Sequence, residues 1–232
     1  MKTAVITGAS SGLGEAISNH LLKNGWRVID WSLKHHIDVS SSFSIGQARL
    51  DLLKRGLDKI DVLINCAGIN RINFLPNVPE QEWDDVMDTN AKGIFLCTKA
   101  LLEELRDGTV VNIVSNASHV PMTSSAAYNA SKGAAAILTK QLARELKKTH
   151  NITVFSVSPN KMSGTHMSAE IDRRVVQLRG WTEQQAREYQ LAALPAGEET
   201  PPAIIAEFIA FLLSSKERHK YLAGCDIPYG GP

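Results

Sequence analysis

The chain has 232 residues, 44% of them hydrophobic, and 25 basic against 24 acidic side chains leave a formal net charge of +1. That length suits one α/β domain with a sizeable core, and the balanced charge, without a dense basic cluster, argues against nucleic acid as a partner. Three cysteines, Cys66, Cys97 and Cys225, lack CxxC spacing, so neither a disulfide framework nor a zinc site is expected, and reduced thiols in a cytoplasmic protein are the simpler reading.

The start Met1-Lys2-Thr3-Ala4-Val5-Ile6 has no apolar leader-like run, no segment approaches the length of a membrane span, and the seven histidines show no HxH or HExxH spacing, so no metal is expected. In chain order, Ala4–Ile6 reads as a buried strand followed by a Gly-rich turn. A helix over 13–24 carries Leu13, Ile17, Leu21 and Leu22 on one face and stops at Gly25. Val28-Ile29 is a second strand, and Ile37-Asp38-Val39 is a very short third. A helix over 41–55 leads to a strand at Asp61–Ile64.

Helices over 79–87 and 91–105 follow, broken near Thr89-Asn90, and Val110–Val114 is the next strand. A long helix over 127–148 gathers Lys and Arg toward its C-terminus, as the helix dipole favours. Ile152–Val157 is a strand, 160–196 an irregular and partly helical insert, 201–213 a final helix with prolines at its start, and 223–229 a last strand. This alternation predicts a single Rossmann-like α/β domain, a doubly wound parallel sheet with helices on both faces.

Two constellations carry chemistry. In Thr7-Gly8-Ala9-Ser10-Ser11-Gly12-Leu13-Gly14, between strand and helix, glycines let the backbone approach a pyrophosphate, and the helix N-terminus faces the anion with free N–H groups. Ser10 and Ser11 can add hydrogen bonds. Tyr128 and Lys132 stand four residues apart, on one face of a helix. A phenol beside an ammonium is held closer to neutral pH than the usual Tyr value near 10, so it can exchange a proton with an alkoxide. Ser115, at the end of the 110–114 strand, can polarise a carbonyl; Ser118 is its competitor.

The G-x-x-x-G-x-G spacing resembles the short-chain dehydrogenase/reductase family, and the resemblance extends over residues 3–231. Asn112-Ile113-Val114-Ser115 looks like its strand-end serine motif and favours Ser115 over Ser118. Thr89-Asn90-Ala91-Lys92-Gly93 resembles its NxxG helix break. The resemblance therefore implies a catalytic tetrad of Asn90, Ser115, Tyr128 and Lys132, with Asn90 bending the helix.

Asn65-Cys66-Ala67-Gly68 resembles the family's NNAG turn with Cys66 in place of the second Asn. It implies that Asn65, Ala67 and Gly68 line the adenosine and nicotinamide-ribose side. Asp38-Val39 resembles the family's adenine-binding Asp, with helix capping as the alternative. After the 152–157 strand, Pro159-Asn160 stands where the family has Pro-Gly, and Thr165 or Ser163 takes the nicotinamide carboxamide. Asn160 tolerates unusual backbone angles and puts an amide near the substrate.

The implied cofactor is NADP or NAD, bound by Gly8, Ser10, Ser11, Gly12, Leu13, Gly14, Ser32, Asp38, Val39, Asn65, Ala67, Gly68, Tyr128, Lys132, Pro159, Asn160 and Thr165. Where NAD-dependent members carry an acid at the end of the second strand, this chain has Ser32. Asp30, two residues earlier, is expected to point elsewhere, and Lys34 with His35 adds positive potential, which favours NADP.

The implied reaction is hydride transfer between that cofactor and a small-molecule carbonyl or secondary alcohol. A dinucleotide-sensing module without turnover is the alternative, but such modules tend to lose the Tyr or Lys. The segment 160–196 is expected to be a substrate lid. His166, Met167, Trp181 and Tyr189 are its large candidates for substrate contact, with Arg71, His119 and Met122 on facing loops. The family's four-helix contact through 91–105 and 127–148 implies a homo-oligomer, a tetramer or dimer.

Overall fold

In a computed structural model that describes residues 1–231, apart from the side chains of Lys216 and Arg218, strand β1 (Thr3–Thr7) is buried at all five positions. A parallel strand is covered on both faces, which is why its sequence is continuously apolar and does not alternate. Strands β2 (Arg27–Trp31), β3 (Val62–Asn65), β4 (Thr109–Ile113), β5 (Thr153–Pro159) and β6 (Asp226–Tyr229) complete a six-stranded sheet in the order β2-β1-β3-β4-β5-β6. Every pairing in it is parallel.

Helices α1 (Gly12–Lys23) and α8 (Pro202–Leu213) cover one face through Leu13, Ile17, Leu21, Ile205, Ile209 and Leu213. On the other face α2 (Ser42–Lys54), α4 (Gly93–Ala100) and α5 (Ala126–His150) contribute Leu52, Cys97, Ala143 and Leu146 to a second core layer with Trp31 and Leu63. Cys97 is buried and unreactive, its thiol pushed up to about 12 by burial. Helix α3 (Glu80–Met87) runs into α4 through a π-helical turn, Asp88–Lys92, at the break expected near Thr89-Asn90. The insert after β5 contains α6 (His166–Arg179) and α7 (Glu183–Ala192).

One expected element is absent: Ile37-Asp38-Val39 is not a strand. After β2 the chain makes a single 3-10 turn at Leu33–His35, His36 takes a left-handed φ of 59°, and the Ile37 N–H bonds back to Ser32 O at 3.0 Å. The backbone donors that a third strand would offer are occupied in that turn. Val39 is buried for a different reason: its Cγ2 lies 3.0 Å from where a β-carbon on Gly93 would sit. The sheet therefore ends at β2.

Candidate active site

The Gly-rich turn links β1 to α1 at the carboxyl edge of the sheet, where parallel α/β folds bind ligands. Gly8 has φ +67°, and a β-carbon there would lie 2.9 Å from Ala67 Cα. One on Gly14 would lie 2.2 Å from Gly8 O, so neither position admits a side chain. Ser11 caps α1 without a side-chain hydrogen bond, which leaves the first-turn N–H groups open. Leu13 is buried in the core, whereas Ser10 and Ser11 are exposed. The turn is pinned to the next strand by Thr7, whose Oγ1 accepts from the N–H groups of Cys66 and Ala67, both at 2.9 Å.

Beside it, Asn65 Nδ2 donates to Asn112 Oδ1 at 2.8 Å, and Asn112 Nδ2 donates to Thr139 Oγ1 at 2.9 Å. This buried ladder ties β3, β4 and α5 together. Thr7, Asn112 and Thr139 had no role assigned from sequence; a polar residue inside a continuously buried strand was the signal available.

Tyr128 and Lys132 lie in the first turns of α5 and are both buried. Ser115 follows β4 directly and hydrogen-bonds the Tyr128 phenol. Ser118 is turned away, its Oγ donating to Ser115 O at 2.7 Å, which leaves Ser115 as the hydroxyl at the site. Lys132 Nζ lies 5.6 Å from the Tyr128 ring centre and donates to Ile113 O at 3.0 Å. Asn90, fully buried in the π turn, accepts from Ile69 N–H at 2.8 Å and donates to Ile69 O and to Ser131 Oγ. Ser131 in turn donates to Tyr128 O at 2.8 Å. The four residues of the implied tetrad thus meet around one strand end, and Asn90 fixes the loop after β3 against α5. Gly68 belongs to this cluster, since a β-carbon there would lie 3.3 Å from Asn90 Oδ1 and 3.7 Å from Lys132 Nζ.

Burial dominates the titration of these groups. It pushes the Tyr128 phenol above its usual value, and the Ser115 hydrogen bond only partly offsets this. Among the protein's own groups burial thus outweighs any lowering by Lys132, and the fall toward neutrality expected at the Tyr–Lys pair calls for the positive nicotinamide ring as well. Burial brings Lys132 down to about 8, with the Cys66 thiol opposing. Cys66 itself is pushed up to about 12, again by burial, as expected of a packing residue.

A cavity of about 340 Å³ opens over Ser115 and Tyr128. Of the large candidates, Met122, Met167 and Tyr189 line it. His119 instead pairs with Asp226 at 2.6 Å, and Trp181 stacks edge-on against Tyr189 at 5.1 Å. His166 and Arg71 do not line the cavity. Asn160 does, but its Nδ2 donates to Gly230 O and its Oδ1 accepts from Thr200, so its amide joins the C-terminal tail to the lid and is not free for substrate. Pro159 ends β5. Thr165 caps α6 by accepting from Ser168 N–H, and its Cγ2 lies 3.6 Å from the place of a Gly12 β-carbon, so the lid begins against the Gly-rich turn.

At the outer strand, Ser32 is the first residue past β2, buried, with its Oγ unpartnered. Asp30 shares its face, as alternate strand residues do, so its carboxylate does not point elsewhere. It reaches His35 Nε2 at 3.3 Å. Asp38 is exposed, and its Oδ1 accepts from Ser40 N–H and Oγ; it does not cap α2, whose N-cap is Ser41.

The chain is similar to known proteins in both sequence and fold. Residues 33–175 match the short chain dehydrogenase family model. The 3-oxoacyl-acyl-carrier-protein reductase FabG of Staphylococcus aureus is 30% identical, over 99% of this chain and 97% of its own. An actinorhodin polyketide ketoreductase with NADPH superposes with a TM-score of 0.89 at 27% identity, covering 99% of this chain and 96% of that one. An NAD+-bound xylitol dehydrogenase shares the fold, with a TM-score of 0.89 at 23% identity over 100% and 98% of the two chains. No helix among the described residues is long and apolar enough to cross a membrane. The chain is a member of the short-chain dehydrogenase/reductase family, and its activity class is that of an oxidoreductase acting on carbonyl or alcohol groups.

Proposed function

We propose that this protein reduces a small-molecule carbonyl, or oxidises the corresponding secondary alcohol, with NADP preferred over NAD and Tyr128 as the proton-transferring group. The observation that carries the reading is the buried cluster of Tyr128, Ser115 and Lys132 under a cavity. The side-chain-free cradle at Gly8 and Gly14 and the open N–H groups of α1 fit a pyrophosphate. Asn65, Ala67, Gly68 and Val39 flank the nucleoside side, Ser32 and Asp38 the adenosine ribose and base, and Pro159, Asn160 and Thr165 the nicotinamide. Bound there, the nicotinamide supplies a hydride to the carbonyl carbon or takes one from the alcohol carbon.

Ser115 Oγ donates to the substrate oxygen and favours charge building up on it. Tyr128 Oη gives that oxygen its proton in reduction and removes it in oxidation. Lys132 places a positive charge beside the phenol, and the positive charge of an oxidised nicotinamide would act against burial to bring the phenol down toward neutrality. Asn90 positions Lys132 and Tyr128 through the Ile69 loop and Ser131. Substituting Tyr128→Phe should leave dinucleotide affinity within about twofold and lower turnover by about 10²-fold or more. Turnover within tenfold of wild type would refute the assignment.

The protein is also proposed to be a homo-oligomer, a dimer or tetramer. Phe95 on α4 and Ile137 on α5 are exposed, the latter 64%, on the helices that a four-helix contact would cover. Light scattering that gives a monomer at micromolar concentration removes that part.

A further inference from the structure

The charge inside the cavity carries information about the substrate. Among the described residues that line it there is no aspartate or glutamate, but there are two cations, Lys161 and Arg179. Lys161 is neutralised: its Nζ pairs with Asp172 and with Glu199, and bonds Gln190. Arg179 has no ion pair or hydrogen bond among the described residues. It is the last residue of α6, and its guanidinium lies over two rings, 4.7 Å from the centre of Trp181 and 5.0 Å from that of Tyr189. Ring contact holds a guanidinium by its face and leaves the N–H groups at its edge free.

Fixed in plane, such an edge matches two oxygens of a carboxylate or phosphate with little further ordering cost. Ile171, Val175, Leu194 and Met167 line the same cavity as Arg179, Ser115 and Tyr128 and give it apolar wall. An unneutralised cation at one end of an apolar, acid-free cavity attracts a ligand of opposite sign, and the low-dielectric walls strengthen the field it feels.

We propose that the substrate is a carbonyl compound, or its alcohol, that carries an anionic oxygen group, carboxylate or phosphate, separated from the reacting carbon by an apolar segment and held by Arg179. The inference rests on the carbonyl-reduction reading above and adds the charge of the substrate to it. Arg179 would also position the lid, because a ligand bound to it links the end of α6 to the floor of the site.

The test uses a graded series of oxo acids, 4-oxopentanoate, 6-oxoheptanoate and 8-oxononanoate, each beside its methyl ester, with 5-oxohexyl phosphate as the phosphate arm. Wild-type protein is expected to prefer the acid over its ester by at least about tenfold in kcat/KM at one chain length, and the preference should shrink in 0.5 M salt. A larger preference for the phosphate than for the acids identifies phosphate as the group. In Arg179→Gln the acid-to-ester ratio should fall to within about twofold of one, whereas Arg179→Lys, which keeps the charge but loses the fork, should retain an intermediate ratio. Thermal melting of each variant within a few degrees of wild type excludes loss of fold as the cause. Equal rates on acid and ester throughout the series, with no gain for the phosphate, overturn the inference and leave carbonyl reduction standing, as does a preference that survives in Arg179→Gln. If no probe is reduced, calorimetric titration of the NADPH-saturated protein with the same pairs reads charge selectivity directly. Selective binding of the anions lost in Arg179→Gln supports the inference while turnover fails; no binding, or equal binding, overturns it.

Discussion

The floor of the site and its lid are built on opposite principles. The floor, formed by the ends of β3 and β4 with the start of α5, consists of buried polar groups with partners: Asn90, Asn112, Ser131 and Thr139 are fully buried, and each makes at least one side-chain hydrogen bond. Such a network is costly to leave half made and so fixes one arrangement. The lid buries little. Helix α6 has Ser168 and Val175 buried, α7 only Ala186, and a salt-bridge cluster around Lys161 stands in for an apolar core beneath them. Arg174, by donating to Ile72 O and Asn73 Oδ1, adds one further attachment. On the proposed function the difference separates the two tasks: proton transfer is assigned to the part whose geometry is over-determined, and recognition to the part that buries least.

The largest expected effect breaks the floor chemically without loosening it. Replacing Lys132 by Met should lower turnover by about 10²-fold or more, because the charge beside the phenol is lost, together with the cofactor contact proposed for this residue. The same change should stabilise the fold at pH 7. A lysine whose value is lowered to about 8 by burial is protonated in the folded state only at a cost, which is fully present below pH 8 and disappears as pH rises from about 8 to the unfolded value of 10.5. The unfolded chain binds more protons across that window, so wild-type stability rises through it. The stabilisation from Lys132→Met is then about 1–3 kcal/mol at pH 7, less the lost bond to Ile113 O, and it should shrink toward pH 10. Urea denaturation at pH 7 and pH 9.5 checks this, and a destabilised variant with the same pH trend as wild type would contradict it.

The lid should respond differently. Lys161→Met removes the cation that joins Asp172, Glu199 and Gln190, and leaves Glu199, a largely buried carboxylate, without its partner. The expected result is a KM raised about five- to tenfold with kcat changed by less than about threefold, and faster amide exchange over 166–192 with little change elsewhere. An equal fall in kcat would show that the lid also shapes the reacting centre. In the unmodified protein, cofactor and substrate together should slow exchange over 166–192; exchange already slow and unchanged on binding would exclude a lid that moves.

This contrast also explains what was legible in the sequence. The floor was readable because its parts are local: a Gly-rich turn between strand and helix, a Tyr and a Lys one helical turn apart, a serine at a strand end, an Asn at a helix break. The limits of α1, α2, α5 and α8 fall within about two residues of their expected places, since periodicity and caps mark them. The lid was readable only as an irregular insert. Lys161, Asp172, Gln190 and Glu199 come from four separate places in the chain, and no spacing announces that they meet.

Trp181 looked like a substrate contact and is instead part of a platform for Arg179, a role that depends on the loop after α6 folding back toward Tyr189. Asn160 lines the cavity, but its amide has partners in the tail and at Thr200. The short strand at Ile37–Val39 failed for a related reason. Three apolar-flanked residues satisfy a local pattern, yet whether they pair is decided by the turn before them.

The smallest expected effect lies farthest from the chemistry, at the adenosine ribose, and it sharpens the same distinction between fixed and adjustable parts. Ser32 stands past the end of β2 with a buried, unpartnered Oγ, so a hydrogen-bond partner arriving with the cofactor relieves a standing cost. A 2′-phosphate is a stronger acceptor than a hydroxyl, and Lys34, exposed on the following turn, adds positive charge. Asp30 opposes this, because a carboxylate in β2 two residues before Ser32 repels a 2′-phosphate, but it is engaged by His35 at 3.3 Å. The expected preference for NADPH over NADH is therefore modest, about tenfold in kcat/KM. Lys34→Ala should reduce it about threefold, as fits one exposed charge in high dielectric, and Asp30→Asn should raise it by a similar factor. A preference for NADH would reverse the cofactor assignment and make Asp30, not Ser32, the residue that reads the ribose.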